Sequence, residues 1–428
     1  MTKLVIWLVR DTVRLEDNPA LELACRTALS EQAALCPLAL LEPRRWSATQ
    51  WGLPRTGSAW QQFRLEGLLA LQEALAARSI PLCCMACEIT DALTRLQAYG
   101  QIHLVVTDVP VSMEERAENA AIRDLGLCVT EVSTDELFTE AQLPFSVAQL
   151  PIPFTRFRKV IEATSGLAPS VPSALPSQWP PGLSEAPERL EQARLTSGAG
   201  DSRQTSAFTG GSAAGQSAWR EYLGAGALSH YKQTRNAFEG RHQSSGLSPW
   251  LAHGNLSVRQ IWHETLSYEA DQGANESTYW LRFELLWREF FRWYARRAGV
   301  ALFAATGPEG RTIALGDGSM SWQQWCQGTT GEPIVDACLR ELTHTGWLSN
   351  RGRQLAASAC LAQCAVDWRQ GAAYFESQLI DFDVASNWGN WAYIAGVGPD
   401  PRGGRIFNLA DQAELYDPQG RYRARWLT

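Results

Sequence analysis

The chain has 428 residues, 45% hydrophobic and 19% charged, with a net charge of −7. That length exceeds one ordinary domain, and the balance is that of a globular protein with large cores. No apolar run approaches a membrane span, and the acidic balance excludes a globally basic coat for nucleic acid while leaving room for a local basic patch.

Residues 1–132 alternate strand and helix signals. Leu4–Val9, Leu35–Leu41, Ile80–Ile89, Ile102–Val109 and Leu127–Val132 read as short strands. Pro19–Leu29, Thr56–Ala77, Thr90–Ala98 and Met113–Leu125 carry helical patterns between them. Such alternation predicts an α/β domain with a doubly wound parallel sheet. The first strand has no cleavage site after it and no Gly-x-Gly-x-x-Gly, so neither a signal peptide nor a standard dinucleotide fingerprint is read there. The default reading is a cytoplasmic monomer.

Residues 133–205 read as an interdomain linker. Nine of the 21 prolines fall between Pro144 and Pro187, a density that resists both helix and sheet. Residues 206–428 are helical in pattern, with Glu276–Ala298 the strongest amphipathic segment and Pro333–Leu342 and Asn350–Val366 two more. An all-α domain larger than the first is expected. Thirteen of the 18 tryptophans lie from Trp219 onward, and an aromatic core accounts for most of them. The ten cysteines read as reduced, buried apolar residues. The tightest group, Cys83, Cys84 and Cys87, lacks a fourth ligand, so no metal site is assigned.

Three clusters carry possible chemistry. In Asp381-Phe-Asp383-Val-Ala-Ser-Asn387-Trp388-Gly-Asn-Trp391, buried carboxylates need partners, and Arg351 and Arg353 are the candidates. The pattern fits an ion-pair network at a helix junction as well as a ligand site. Ser244-Ser245-Gly246-Leu247-Ser248-Pro249 makes a hydroxyl-rich turn into a helix, suited to phosphate oxygens and equally to ordinary capping. Glu284, Trp287 and Arg288 share one helix face, where an acid, a flat ring and a cation suit a nucleobase or serve as plain helix pairs.

Taken in series, Tyr231-Lys-Gln-Thr-Arg235-Asn, Leu247-Ser-Pro-Trp-Leu-Ala, Glu284-Leu-Leu-Trp287-Arg288, Thr345-Gly-Trp347, Asn350-Arg351-Gly-Arg353, Asp367-Trp368-Arg369, Asp381-Phe-Asp383 and Arg405-Ile-Phe-Asn408 resemble the FAD-binding domain of the photolyase/cryptochrome family. Arg10-Asp-Thr-Val-Arg14-Leu-Glu-Asp17-Asn18 resembles its first strand–helix junction. Asn387-Trp-Gly-Asn-Trp391 and Gly396-Val-Gly-Pro-Asp400-Pro-Arg402 are similar to the DASH branch. Asn350 and Gln354 stand where (6-4) photolyases carry a histidine pair, which argues against (6-4) repair.

The resemblance implies roles. Tyr231, Ser244, Ser245, Leu247 and Ser248 would hold the phosphates and ribityl chain of FAD. Asp381 (paired with Arg353) and Asp383 would contact the flavin and adenine, and Asn387 would face flavin N5. Glu284 would hydrogen-bond a flipped pyrimidine dimer, with Trp287 stacked on it and Tyr393 on the opposite wall. Arg235, Arg288, Asn350, Arg351 and Arg405 would meet DNA. Trp391 and Trp368 would begin a tryptophan chain that re-reduces the flavin; its distal member is unassigned, with Trp322 and Trp325 the candidates. Glu115 would touch a methenyltetrahydrofolate antenna. Gly246 replaces a customary cation. The implied activity is blue-light splitting of cyclobutane pyrimidine dimers, preferentially in single strands, with a blue-light photoreceptor that does little repair as the alternative.

Overall fold

A computed structural model describes residues 2–184, 188–190, 208–400 and 402–428. Most of the last third of the linker, with Gly198-Ala-Gly200, and Pro401 of the 396–402 motif lie outside the described residues.

Five parallel strands, β1 (Lys3–Val9), β2 (Ala34–Leu40), β3 (Cys83–Met85), β4 (Gln101–Asp108) and β5 (Val129–Val132), form a sheet in the order β3-β2-β1-β4-β5. Successive side chains of β1 point to opposite faces. Val5, Trp7 and Val9 enter one buried cluster and Leu4, Ile6 and Leu8 the other, as a strand covered by helices on both faces requires. Those helices are α1 (Pro19–Ser30), α2 (Ser58–Ala76), α3 (Ile89–Leu96) and α4 (Met113–Asp124). Asn18 caps α1 by accepting from Leu21 N at 3.0 Å, with Pro19 in the first turn. The expected third strand shrinks from ten residues to Cys83–Met85, because Pro81 and the loop before it leave only three residues paired to β2.

The linker contains a helix, α5 (Phe154–Ala163), that the proline count argued against. Pro153 stands just before it, where a missing N–H costs no helix bond. Phe154, Phe157 and Ile161 of α5 join Leu137, Phe138, Leu143 and Leu150 in the same buried cluster as the helical domain. This part of the linker is therefore one wall of the core.

The helical domain follows: α6 (Ser212–Gly224), α7 (Tyr231–Thr234), α8 (Ser248–Ala252), α9 (Val258–Gln272), α10 (Glu276–Ala298), α11 (Trp322–Gln327), α12 (Pro333–Thr345), α13 (Asn350–Gln363), α14 (Trp368–Gln378), α15 (Val384–Ala395), α16 (Leu409–Tyr416) and α17 (Arg421–Leu427). The α/β plus all-α architecture is the one expected. Among the described residues no helix is long and apolar enough to cross a membrane.

Buried charge joins the two parts. Arg259 of α9 donates to Asp17 Oδ1 at 2.9 Å and Oδ2 at 3.0 Å, and to Glu136 O at 3.2 Å. Arg14 donates to Thr134 O at 2.8 Å and Gly254 O at 3.1 Å. Removing one partner of such a pair strands a buried charge. Arg259→Met is expected to cost about 3–5 kcal/mol, read from urea denaturation; a cost within about 0.5 kcal/mol, the range of ordinary surface substitutions, would contradict the reading.

Candidate active site

A deep cavity opens in the helical domain. Its wall comes from α7, the turn before α8, α10, α13 and α15. Tyr231, Ser244, Ser245, Leu247, Ser248, Glu284, Arg288, Asn350, Arg353, Asp381, Asp383, Asn387 and Trp391 all line it. Residues spread over 160 positions thus converge, which the linear pattern alone could not display. Gly246 sits at φ +63° in the serine turn, a conformation glycine adopts without the strain a side chain would add.

Several polar wall residues are held by specific partners. Arg353 Nη2 donates to Asp381 Oδ2 at 2.8 Å and Arg353 Nε to Leu348 O at 2.8 Å. Asp383 caps α15, accepting from Ser386 N at 2.7 Å, and lies 3.6 Å from Arg292. Asn387, one turn along α15, is anchored through Nδ2 to Ala372 O at 3.0 Å. Glu284 pairs with Arg235 at 2.6 Å and accepts from Trp280 Nε1 at 3.0 Å. Burial raises the Glu284 carboxyl above its ordinary range, against the opposing pull of Arg235 and Trp280.

The residues present suit a large ligand with polar groups along its length. Asp381 Oδ1 and Trp347 Nε1 are buried with no hydrogen-bond partner, and both residues line the cavity. Native proteins seldom leave such atoms unmet, so a ligand donor at Asp381 and an acceptor at Trp347 fit this wall, as FAD supplies.

Several expected positions differ. Arg288 is bound to the Asp135 carboxylate, to Asp135 O at 2.8 Å and to Leu251 O at 3.2 Å. A buried carboxylate within reach makes Arg288 a structural tie between α10 and the turn at Asp135. Arg235 is committed to Glu284, and Arg405 to Tyr393 Oη and, at 3.3 Å, Asp400. Arg351 lies over Tyr416 at 4.9 Å and Phe407 at 5.4 Å. Trp287 and Tyr393 are neighbours, edge to face with centroids 5.6 Å apart, rather than opposite walls. Trp368 is buried and donates to Ala305 O at 2.9 Å, away from the cavity wall. Glu115 closes a capping box at the start of α4, accepting from Val111 N at 2.7 Å and Ser112 N at 2.9 Å. It also lines a smaller cleft between the two parts with Asp11, Arg55, Trp60 and Asp383.

Sequence reasoning missed three contributors. Trp280 stands four residues before Glu284, a helical spacing that could have flagged it. Trp347 was inside a quoted motif but had no role. Phe154 stacks on Trp287 with centroids 3.7 Å apart and 15° between planes; no signal in the linker pointed to it.

Comparison with known proteins agrees with this geometry. A family model described as DNA photolyase matches residues 4–177, and one described as the FAD binding domain of DNA photolyase matches residues 280–428. Cryptochrome DASH of Idiomarina loihiensis is 39% identical over 99% of this chain and 92% of that protein. The solved Synechocystis sp. cryptochrome superposes with a TM-score of 0.92 at 35% identity, covering 100% of this chain and 89% of that one. A class III photolyase from Agrobacterium tumefaciens gives a TM-score of 0.82 at 26% identity, covering 100% and 87%.

Asp381→Ala removes the cavity's ion pair and one ligand-facing acceptor together. Flavin affinity, read by fluorescence titration, is expected to fall roughly tenfold or more; an unchanged affinity would count against the assigned wall. The chain belongs to the photolyase/cryptochrome family, on its cryptochrome DASH branch.

Proposed function

We propose that the chain is a light-driven lyase that splits cyclobutane pyrimidine dimers, preferentially in single-stranded DNA. The observation that carries this reading is Glu284, a carboxyl held in the cavity wall by Arg235 and Trp280, one turn from the Trp287–Phe154 stack. A protein that only senses light has no need of such a paired acid in the cavity wall.

In this reading residues 1–132 form the antenna-type domain, 133–205 the linker and 206–428 the catalytic domain. FAD supplies the light-driven electron. The protein's own residues bind and orient. Tyr231, Ser244, Ser245, Leu247 and Ser248 take the phosphates and ribityl chain, Asp381 and Asp383 the polar edges of the flavin and adenine, and the anchored amide of Asn387 the flavin's central ring. Glu284 hydrogen-bonds the extruded dimer and Trp287 stacks on it, with Tyr393 beside that ring. Asn350, Arg351 and Arg405 border the strand. The cleft around Glu115 and Trp60 takes a folate antenna.

Single-strand preference has physical support. Arg235, Arg288 and Arg405 are engaged by carboxylates of the chain itself, so fewer charges are left to neutralise phosphates. Extruding a base from a single strand saves the unpairing cost of a few kcal/mol, which suits a protein with fewer free cations.

Protein reduced beforehand is incubated under blue light and in darkness with a thymine-dimer oligonucleotide, single-stranded and duplex. Light-dependent loss of the dimer is expected, faster on the single strand. Glu284→Ala removes a hydrogen bond to a charged group, worth about 1.5–3 kcal/mol, so repair should slow by roughly tenfold or more. Absence of repair on both substrates, with normal flavin photoreduction, would contradict the proposal and favour a photoreceptor.

A further inference from the structure

One stretch of the cavity wall lies outside any helix and is tied from its outer side. Residues 235–247 run from α7 to α8 and bring Ser244, Ser245 and Leu247 into the wall. Both ends are fixed in the core. At the first, Phe238 is buried and stacks on Tyr422 with centroids 4.6 Å apart and 15° between planes, and Glu239 lies 2.9 Å from Arg425. At the second, Leu247 is buried in the helical core.

The middle is held differently. Arg241 pairs with Glu221 of α6, and His242 Nε2 lies 3.0 Å from Glu221 Oε1. The Arg241 side chain is 68% exposed and that of Glu221 44%, so each pair is worth little and opens readily. Three residues here take left-handed backbone: Gly240 at φ +113°, His242 at +68° and Gly246 at +63°. The glycines bracket the segment, as hinges do. The space beside Gly246 is open, with Phe208 3.9 Å from where a Cβ would stand. Glycine therefore serves the backbone there and admits no close neighbour. His242 holds its φ under a strain that opening relieves.

Other wall segments outside helices are tied by buried groups. Ile380 N donates to Gly346 O at 2.7 Å, joining residues 345–349 to 379–383, and Thr345, Ser349 and Asp381 are buried. Lifting residues 240–246 breaks exposed contacts instead, so this part of the wall opens at the lowest cost.

We propose that residues 240–246 form a flap that opens to admit and release FAD, with Glu221 as its latch. The proposal rests on the flavin reading of the cavity. Ser244 and Ser245 meet the ligand when the flap is shut. Glu221 lies outside the wall and acts only on how often the flap opens.

The test is stopped-flow flavin uptake by the full chain stripped of cofactor, with release followed on dilution of the holoprotein, in wild type, Glu221→Ala and Glu221→Gln. Loss of both exposed pairs in Glu221→Ala is expected to speed uptake and release alike, by about threefold to tenfold, leaving Kd nearly unchanged. Glu221→Gln, which keeps an oxygen for both donors, should restore most of the wild-type rates. Faster release with unchanged uptake would make Glu221 a brace for the bound state and overturn the flap, as would rates that do not move. Should the stripped chain fail to refold, amide exchange at residues 240–246 of the holoprotein decides. It must quicken in Glu221→Ala by the same factor as release, and exchange that stays unchanged overturns the flap. A wild-type chain that holds no flavin at all fails the flavin reading first, and the flap falls with it.

Discussion

The short acidic turn Asp135-Glu136, just after β5, is gripped by arginines at every fourth position of α10. Arg288 meets Asp135, Arg292 lies 3.2 Å from Glu136 and 3.5 Å from Asp135, and Arg296 lies 2.7 Å from Glu136. Arg14 and Arg259 approach the same turn from the other side. Burial alone would raise the Glu136 carboxyl, yet Arg296 and Arg292 hold it down at about 2. Uncompensated charges at this depth are untenable, so the sheet, the linker and α10 can meet in only one register.

That register sets the site. The helix whose arginines hold the turn also carries Trp287, the residue before Arg288, and Glu284, one turn before it. Arg292 reaches Asp383 as well, at 3.6 Å, and Asp383 caps the helix that bears Asn387 and Trp391. Glu289, on the same helix, accepts from Leu137 N at 2.9 Å and Phe138 N at 3.2 Å, fixing the chain that runs on to α5. Phe154 of α5 then braces Trp287. The seam thereby orients Glu284, Trp287 and Asn387 together.

Much of this was legible in the residues. Alternating short apolar runs gave away the sheet because a parallel strand buried on both faces must be apolar throughout. The bounds of α10, Glu276–Ala298, followed from an amphipathic spacing with an aromatic face, and the structure adds Asn275 as its cap. The motif series pointed to the cavity wall, which Tyr231, Leu247, Glu284, Asn350, Arg353 and Asp381 line. What stayed hidden depends on distant partners. Arg288 looked like a phosphate contact since Asp135, 153 residues away, gives no local sign. The helix in the linker was masked by prolines that flank it rather than interrupt it. The contact of Trp391 with Trp325 joins α15 to α11, and nothing in spacing reports which of 18 tryptophans touch.

The seam's control of the site is tested most directly with Arg292→Met, a substitution that keeps length and removes charge. Flavin affinity and thermal midpoint are measured on the same preparations. The account predicts that both fall together, because Asp383 and α15 lose their anchor although Arg292 is not part of the cavity wall. A lowered midpoint with unchanged flavin affinity would contradict it and reduce the seam to a device of stability alone.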